Sequence, residues 1–317
     1  MPLLSVIIPA YNRAKLLAEA LESLVVQECA DFEVIAVNDG STDDTASVLA
    51  RYEQGPLRGK LRVLHQENAG QGAARNLALA AAQGEYCSFL DSDDRYFPWS
   101  VAVIVDAILG NDRPSVVIGT DKQFETNEQF ASVIRKPARM TRWPDVYSYL
   151  VTSHLGPCGI FVARTQLLRE AGGFLIDRIV GEDADLMFRV GTAPRMVKIE
   201  SPWMFAYRVH DQSFTRSYEK WYRGGLHFIR QYRNGNFPGG RERQAALRKA
   251  TADAVAAFGF FTLHLGGRRQ CIDVYLRTVW LQLRAGNYDY VCRTPVLIIL
   301  SYLHLWPWHR LVQVFEP

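Results

Sequence analysis

The chain is 317 residues long, 48% hydrophobic and 22% charged, enough to bury a full core as one large or two ordinary domains; disorder, collagen-like repetition and a small disulfide scaffold are excluded. Its 36 basic and 33 acidic side chains leave a formal charge of +3, which argues against a dedicated nucleic-acid binder. That sum conceals an asymmetry: residues 1–110 carry 8 basic against 15 acidic side chains (net −7), residues 201–317 carry 16 against 7 (net +9).

The first 120 residues alternate short β-branched runs with amphipathic stretches, the pattern of an α/β domain around a mostly parallel sheet. Strands are predicted at residues 5–9, 32–38, 61–65, 86–90 and 115–119, and helices at 14–26, 44–52, 73–82 and 99–109. The second of these helices opens on Ser41-Thr42-Asp43-Asp44-Thr45, rich in N-cap residues. Polar loops that follow the strands would share the carboxyl edge of the sheet, where open α/β sheets bind ligands. Beyond residue 140 the pattern predicts a strand at 156–163, a short helix at 166–170 ending on Gly172-Gly173, a helix at 183–190, and strands at 196–200 and 203–209. After Phe214 everything is helical in character, with breaks at 234–240, 266–267 and 286–287.

Five cysteines (Cys29, Cys87, Cys158, Cys271, Cys292) are widely spaced, without a CxxC pair, and read as buried thiols of a reducing compartment. The N-terminus lacks the basic region and cleavage site of a signal peptide, so the expected location is the cytoplasm. No stretch reaches the ~20 apolar residues of a membrane span. The nearest, Pro295 to Trp308, is PVLIILSYLHLWPW; it reads as a buried helix or as an interfacial segment.

The most informative loop is Asp91-Ser92-Asp93-Asp94, at the exit of an apolar strand. Acids at i and i+2 on a non-helical loop can converge on one hard divalent ion, Mg²⁺ or Mn²⁺, that keeps positions open for phosphate oxygens; a solvated acidic loop is the alternative. The other exits are Pro9-Ala10-Tyr11-Asn12-Arg13, Asn38-Asp39-Gly40-Ser41-Thr42-Asp43, and Asn68-Ala69-Gly70 running on to Arg75-Asn76. Neither GxGxxG after the first strand nor a Walker A, HExxH or GxSxG sequence occurs, which disfavours dinucleotide-binding, P-loop, zincin and α/β-hydrolase readings.

Taken in order, Ser5-Val-Ile-Ile-Pro-Ala-Tyr-Asn12, Asn38-Asp-Gly-Ser-Thr-Asp43, Asn68-x-Gly70-x4-Arg75-Asn76 and Asp91-Ser-Asp-Asp94 resemble the family 2 glycosyltransferases of the GT-A fold. The resemblance continues through Gly172-Gly173-Phe174, Gly181-Glu182-Asp183 and Tyr207-Arg208-x-His210. It implies a GT-A, Rossmann-like, mostly parallel central sheet flanked by helices, with a C-terminal helical extension. Residues 1–215 would form the transferase domain, with 1–120 binding the nucleotide sugar and 121–215 supplying the acceptor side and catalytic base. Residues 216–317 would form a helical region associated with membrane or acceptor.

The same resemblance implies a metal-dependent, inverting transfer from a nucleotide-diphosphate sugar, UDP in the first instance, to a hydroxyl of a glycan or lipid-linked acceptor in bacterial surface polysaccharide or glycolipid synthesis. By position, Pro9, Tyr11, Arg13, Asp39, Arg75, Asp91 and Ser92 would bind the nucleotide sugar. Asp93 and His210 would hold Mn²⁺ or Mg²⁺, and Asp183 would be the base. Glu182, Trp143 and Cys158 are weaker acceptor-side candidates, with Trp203 and Tyr147 as stacking surfaces and Arg208 and Arg216 as phosphate clamps. A non-catalytic sugar-nucleotide binder is the alternative, and a nucleotidyltransferase a more distant one. The basic C-terminal end is expected to make peripheral contact with an anionic membrane, on the cytoplasmic face of the inner membrane; no nucleic-acid partner is expected.

Overall fold

The computed structural model describes residues 1–153, 158–210 and 214–303. In chain order the elements are β1 (Leu4–Ala10), α1 (Ala14–Val25), β2 (Phe32–Asp39), α2 (Thr45–Gln54), β3 (Leu61–Gln66), α3 (Gln71–Ala81), β4 (Tyr86–Phe89), β5 (Arg95–Tyr96), α4 (Ser100–Leu109), β6 (Val116–Ile118), β7 (Asp121–Phe124) and α5 (Asn127–Ala131). They continue with β8 (Arg139–Trp143), α6 (Val146–Leu150), β9 (Phe161–Arg164), α7 (Thr165–Glu170), α8 (Glu182–Arg189), β10 (Met196–Ser201), β11 (Phe205–Arg208), α9 (Tyr218–Arg233), α10 (Gln244–His264), α11 (Arg268–Arg284) and α12 (Tyr288–Tyr302). The chain divides into two compact units. Of the described residues, one comprises 1–149, 158–178 and 182–210; the other comprises 150–153, 179–181 and 214–303.

The first unit is built on an eight-stranded sheet of order β3-β2-β1-β4-β9-β6-β10-β8. Strands β3, β2, β1 and β4 run parallel, as do β6 and β10, whereas β9 and β8 are antiparallel to their neighbours. Every residue of β1 is buried, Ser5 included, whose hydroxyl donates to Glu33 Oε1 at 2.6 Å, as expected of a strand inside a parallel sheet covered on both faces. In α1 the side chains of Leu17, Ala20, Leu21 and Leu24 recur at helical spacing and are buried; each buried leucine stabilises the fold by about 1.5–3 kcal/mol.

Chain order runs outward from β1 to β3 and then returns to place β4 on the other side of β1. The exits of β1 and β4 therefore flank the topological switch point. Pro9 sits in β1 without loss because β4 ends at Phe89, which is paired with Ile7. On the β4 side, where an amide at position 9 would point, no strand remains to accept a hydrogen bond.

Three strands were not legible in the sequence. β5 has two residues, β7 is Asp-Lys-Gln-Phe, and β8 has no buried residue; none shows the buried alternation that marks a strand. β5, β11 and β7 form a separate three-stranded sheet. The strand expected at 156–163 begins only at Phe161: Cys158–Ile160 form a 3₁₀ turn, and residues 156–157 lie outside the described residues.

The second unit packs α10 against α9 and α11 around aromatic side chains, with Phe228 and Phe258 at 5.2 Å and Phe228 and Phe237 at 5.7 Å. Between α11 and α12 the chain reverses at Gly286, whose φ of +79° suits glycine. The breaks expected near 266 and 286 thus fall at helix ends, and Trp306 and Trp308 lie outside the described residues. Of the cysteines expected to be buried, Cys87, Cys158 and Cys271 are, whereas Cys29 is half-buried and Cys292, on α12, is exposed.

Gly72 lies inside α3, where glycine ordinarily weakens a helix by about 1 kcal/mol relative to alanine. Here a Cβ would fall 1.9 Å from the Leu175 carbonyl oxygen, so the close approach of α3 to the 172–176 segment demands glycine. Gly72→Ala is expected to reverse the usual sign and destabilise by about 1–3 kcal/mol or more, read from urea unfolding midpoints.

Candidate active site

The loops after β1 and β2 are knitted together by short polar side chains. Asn12, with φ +51°, accepts from the Thr42 amide at 2.8 Å and donates its own amide to Ser41 Oγ at 3.0 Å. The Arg13 amide donates to Thr45 Oγ1 at 3.0 Å. Asp43 accepts from the Ala14 and Thr45 amides; desolvation opposes ionisation, but these hydrogen bonds prevail and hold its carboxyl below the ordinary range. Tyr11 projects from this platform with 46% of its surface exposed.

Asp39, at the end of β2, is buried and accepts from Gln66 Nε2 (2.7 Å), the Ala69 amide (2.8 Å) and the Gly70 amide (2.9 Å). A carboxylate offers about four lone-pair directions, so Asp39 organises the loop after β3 and retains capacity for one further donor.

The centre of the site is Arg75 on α3. It is 1% exposed, and its Nη2 donates to Asp91 Oδ1 at 2.6 Å while Nη1 donates to Glu182 Oε1 at 2.9 Å. Its guanidinium lies 5.1 Å from the centroid of Phe174. The next residue, Asn76, brackets the Phe174 backbone, accepting from its amide at 2.7 Å and donating to its carbonyl at 2.8 Å. This gives the Arg75-Asn76 and Gly172-Gly173-Phe174 motifs one shared structural job. Burial disfavours the charged guanidinium, but Asp91 and the other negative groups around it more than compensate and raise its pKa well above the usual value.

Glu182 and Asp183 open α8, about 100° apart around the helix. Glu182 is buried and turned onto Arg75 and Gln71, which removes it from the acceptor side. Asp183 keeps partial access to solvent and accepts only from the adjacent Ala184 amide at 2.7 Å among the described contacts. Burial, then repulsion from Glu182, pushes its carboxyl up to about 7, with Arg75 partly opposing the shift. The Cys158 thiol is buried within electrostatic reach of Arg75, Asp183 and Asp91, and burial raises its pKa. It is a wall of the cluster and not a reactive thiolate.

In the loop after β4, Ser92 is buried and the Asp94 amide donates to the Asp91 carbonyl at 3.1 Å, closing a tight turn. Asp93 Oδ2 lies 3.0 Å from His210 Nε2 and 3.8 Å from Arg13 Nε. Asp94 is buried, accepts from the Arg208 amide at 2.7 Å, and is raised well above the carboxylate range by desolvation and by Asp93 and Asp91. No group of three or more metal-capable side chains converges among the described residues. The Asp93–His210 pair nevertheless suits a divalent ion completed by substrate phosphate oxygens, since one or two protein ligands plus phosphates is an ordinary donor set for Mg²⁺ and Mn²⁺.

The expectations for Arg208, Trp143 and Tyr147 are corrected. Arg208 is no phosphate clamp: its Nε donates to the Asp93 carbonyl (2.9 Å), its Nη2 to Glu19 Oε2 (2.6 Å), and it lies 4.5 Å from the Phe124 centroid. It holds the Asp93 backbone in place, a role invisible in the sequence because Glu19 and Phe124 are far away along the chain. Trp143 pairs with Met196 at the amino end of β10 on the outer strand of the sheet, whereas the site lies at the carboxyl ends. Tyr147 is fully buried and donates to the Phe188 carbonyl at 2.7 Å. Trp203 has Lys122 and Lys136 each 5.2 Å from its ring. Arg216 belongs to the helical unit.

The family described as glycosyl transferase family 2 matches residues 5–170; Asp183 and His210 lie beyond the matched stretch. The uncharacterized glycosyltransferase YibD of Escherichia coli (strain K12) is 35% identical over 139 residues, 44% of this chain and 40% of its own length. The uncharacterized glycosyltransferase EpsJ of Bacillus subtilis (strain 168) is 28% identical over 220 residues, 68% of this chain and 63% of its own length. The chain thus spans less than two thirds of these relatives.

Among solved structures, S. aureus TarS 1-349 in complex with UDP-GlcNAc is similar with a TM-score of 0.59 at 23% identity, covering 90% of this chain and 92% of that one. The mannosyltransferase PcManGT from Pyrobaculum calidifontis in complex with GDP-Man and Mn²⁺ is similar with a TM-score of 0.55 at 18% identity, covering 96% and 87%. At these identities the likeness carries the fold, and that fold is GT-A.

Two outcomes follow from the cluster. Arg75→Ala leaves Asp91 and Glu182 without their buried counter-charge and should destabilise by about 3–5 kcal/mol. Asp183 has the opposite effect, because its folded-state pKa lies above the ordinary 3.8, at about 7. The folded state then binds the extra proton between these values, so stability falls as pH rises through that window and the penalty is complete above it. Asp183→Asn should therefore raise stability at pH 8 by about 1–4 kcal/mol and gain nothing at pH 4, as thermal melts at the two pH values would show.

Proposed function

Because the chain belongs to glycosyl transferase family 2, we propose that it is a metal-dependent, inverting transferase that moves a sugar from a nucleotide-diphosphate donor to an acceptor hydroxyl. The observation that carries this reading is the Asp93–His210 pair at 3.0 Å on the loop after β4, which Arg75 ties through Asp91 and Glu182 to the helix start where the Asp183 carboxyl is raised to about 7. A transferase needs both a place for the leaving diphosphate's charge and a base matched to neutral pH.

Each residue then has a stated task. Tyr11, exposed at the edge, and Arg13 would lie along the nucleoside, with Pro9 as the rigid end of β1 beneath them. Asp39 would accept the imide N–H of a uracil through its remaining lone pair, which favours UDP. The Asp91 and Ser92 backbone turn would bound the ribose. Arg75 would act through Asp91 and Glu182, holding both sides of the site in register, and not by touching the diphosphate. Asp93 and His210 would hold Mn²⁺ or Mg²⁺, the imidazole tilting the choice toward Mn²⁺; such an ion neutralises charge on the departing nucleoside diphosphate.

Asp183 would accept the acceptor hydroxyl's proton as that oxygen attacks the anomeric carbon from the face opposite the diphosphate. The carbon–oxygen bond to the diphosphate breaks as the new glycosidic bond forms, which inverts the anomeric configuration. Residues 1–120 would serve the donor and 121–215 the acceptor side. The acceptor would be a glycan or lipid-linked glycan of bacterial surface polysaccharide or glycolipid synthesis, met at the cytoplasmic face of the inner membrane. The similar structures were determined with UDP-GlcNAc and with GDP-Man and Mn²⁺, and they support a nucleotide-sugar donor for this chain without choosing the sugar.

The test is transfer or slow hydrolysis of a panel of UDP-sugars with Mn²⁺. Asp183→Asn should lower kcat by about 10²–10⁴ with donor binding retained, and Asp93→Ala should weaken donor binding as well as turnover. A base titrating near 7 must be ionised to work, so kcat/KM of the wild type should rise with pH through about 7. Full turnover by Asp183→Asn would remove the base assignment. Donor binding without turnover, in wild type and variant alike, would favour a sugar-nucleotide binder.

A further inference from the structure

The helical unit turns outward a surface that packing within that unit leaves uncovered. On α11, Arg269, Leu276, Arg277, Trp280 and Arg284 fall at i, i+7, i+8, i+11 and i+15, one face of a helix. Leu276 is 65% and Trp280 71% exposed, while the opposite face buries Cys271, Val274, Thr278 and Gln282. The neighbouring α12, joined to α11 by the Tyr275 hydroxyl donating to the Val291 carbonyl at 3.0 Å, repeats the arrangement. Tyr288, Val296, Ile299 and Leu303 lie on one face and are 52–64% exposed. Ordinary surfaces scatter single apolar side chains; two adjacent helices each presenting a stripe of them mark a contact site.

The charge around these stripes selects the occupant. Residues 214–303 hold 14 basic and 5 acidic side chains. On the two helices the acids are already taken: Asp273 by Arg277 and Asp289 by Arg293, each at 2.7 Å. Arg269 and Arg284 have no carboxylate partner among the described residues. A two-fold pairing of this surface with a second copy would set arginines against arginines around the apolar stripe, because an isologous interface meets itself. A surface of anionic lipid headgroups complements both features. Arginine heads reach the phosphates, and tryptophan and tyrosine sit at the boundary between headgroup and acyl chain with aliphatic side chains just below. No described helix is long and apolar enough to cross a membrane, so the contact is with the surface.

The geometry points to the outer face of α11 and α12 as a docking surface for an anionic lipid bilayer. This inference rests on the helical unit alone and stands or falls independently of the transferase reading. The experiment is flotation of the full chain with vesicles of phosphatidylcholine alone or with about one third phosphatidylglycerol, at low and high salt. Binding should require the anionic lipid and weaken by more than tenfold at high salt. Trp280→Ser with Leu276→Ser should weaken it at least tenfold, and each of Arg269→Ala and Arg284→Ala by about fivefold. Because all four positions face outward, the variants should keep the wild-type Tm, and that measurement accompanies each assay. Absence of binding to anionic vesicles at low salt would overturn the proposal, as would binding unchanged in the Trp280/Leu276 variant. A concentration-dependent dimer abolished by that variant would assign the face to a second copy instead.

Discussion

Arg75 is sealed from solvent, and it stays charged there because Asp91 and Glu182 each lie within 2.9 Å of its guanidinium. An unpaired charge in that position would be prohibitively unfavourable. Its partners come from the exit of β4 and the start of α8, 16 and 107 residues away in sequence. Pairing the two terminal nitrogens of one guanidinium therefore fixes the relative placement of three segments: the loop that carries Asp93, the helix turn that carries Asp183, and α3 itself. Asn76, one residue on, clamps Phe174 by two backbone hydrogen bonds, and the Phe174 ring packs against the same guanidinium. The tight approach at Gly72 belongs to this junction as well.

The same arrangement explains why the edge of the sheet tolerates so many acids. Asp91 and Glu182 are neutralised by Arg75, and Asp93 faces His210 and Arg13. Asp94 and Asp183 are left to burial and to their neighbours' negative charge, and both are raised in pKa. Carboxyls held in this way destabilise their own fold, the usual opposition between stability and a polar site. Arg208 adds a mechanical element: by joining the Asp93 backbone to Glu19 on α1, it ties the acidic loop to the body of the α/β unit.

Much of this was legible beforehand. The parallel strands β1 to β4 and the helices between them follow from apolar runs and period-3.6 patterns, since a strand covered on both faces can be built in few other ways. The loops at the carboxyl edge carry the motif residues because that edge is where the backbone leaves the sheet. What escaped were β5, β7 and β8, short or exposed strands whose partners, not their composition, make them strands. The aromatic candidates on the acceptor side failed for a related reason: residue type says that Tyr147 and Trp143 have large rings, but only packing says that one is in the core and the other at the far end of the outer strand.

The sequence by itself determined the fold class, the order of the strand-exit motifs, the family resemblance and the charge division between the two ends, because each is written in local pattern, in motif order or in a count of residues. Tertiary structure alone decided that Arg75 is an internal brace, that Glu182 turns inward while Asp183 keeps solvent access, that Arg208 supports the acidic loop, and which faces of α11 and α12 stay uncovered. These depend on contacts between residues tens to hundreds of positions apart and on what each side chain finds when it is buried, and a hydrogen-bond partner or a desolvation shift has no signature in local composition.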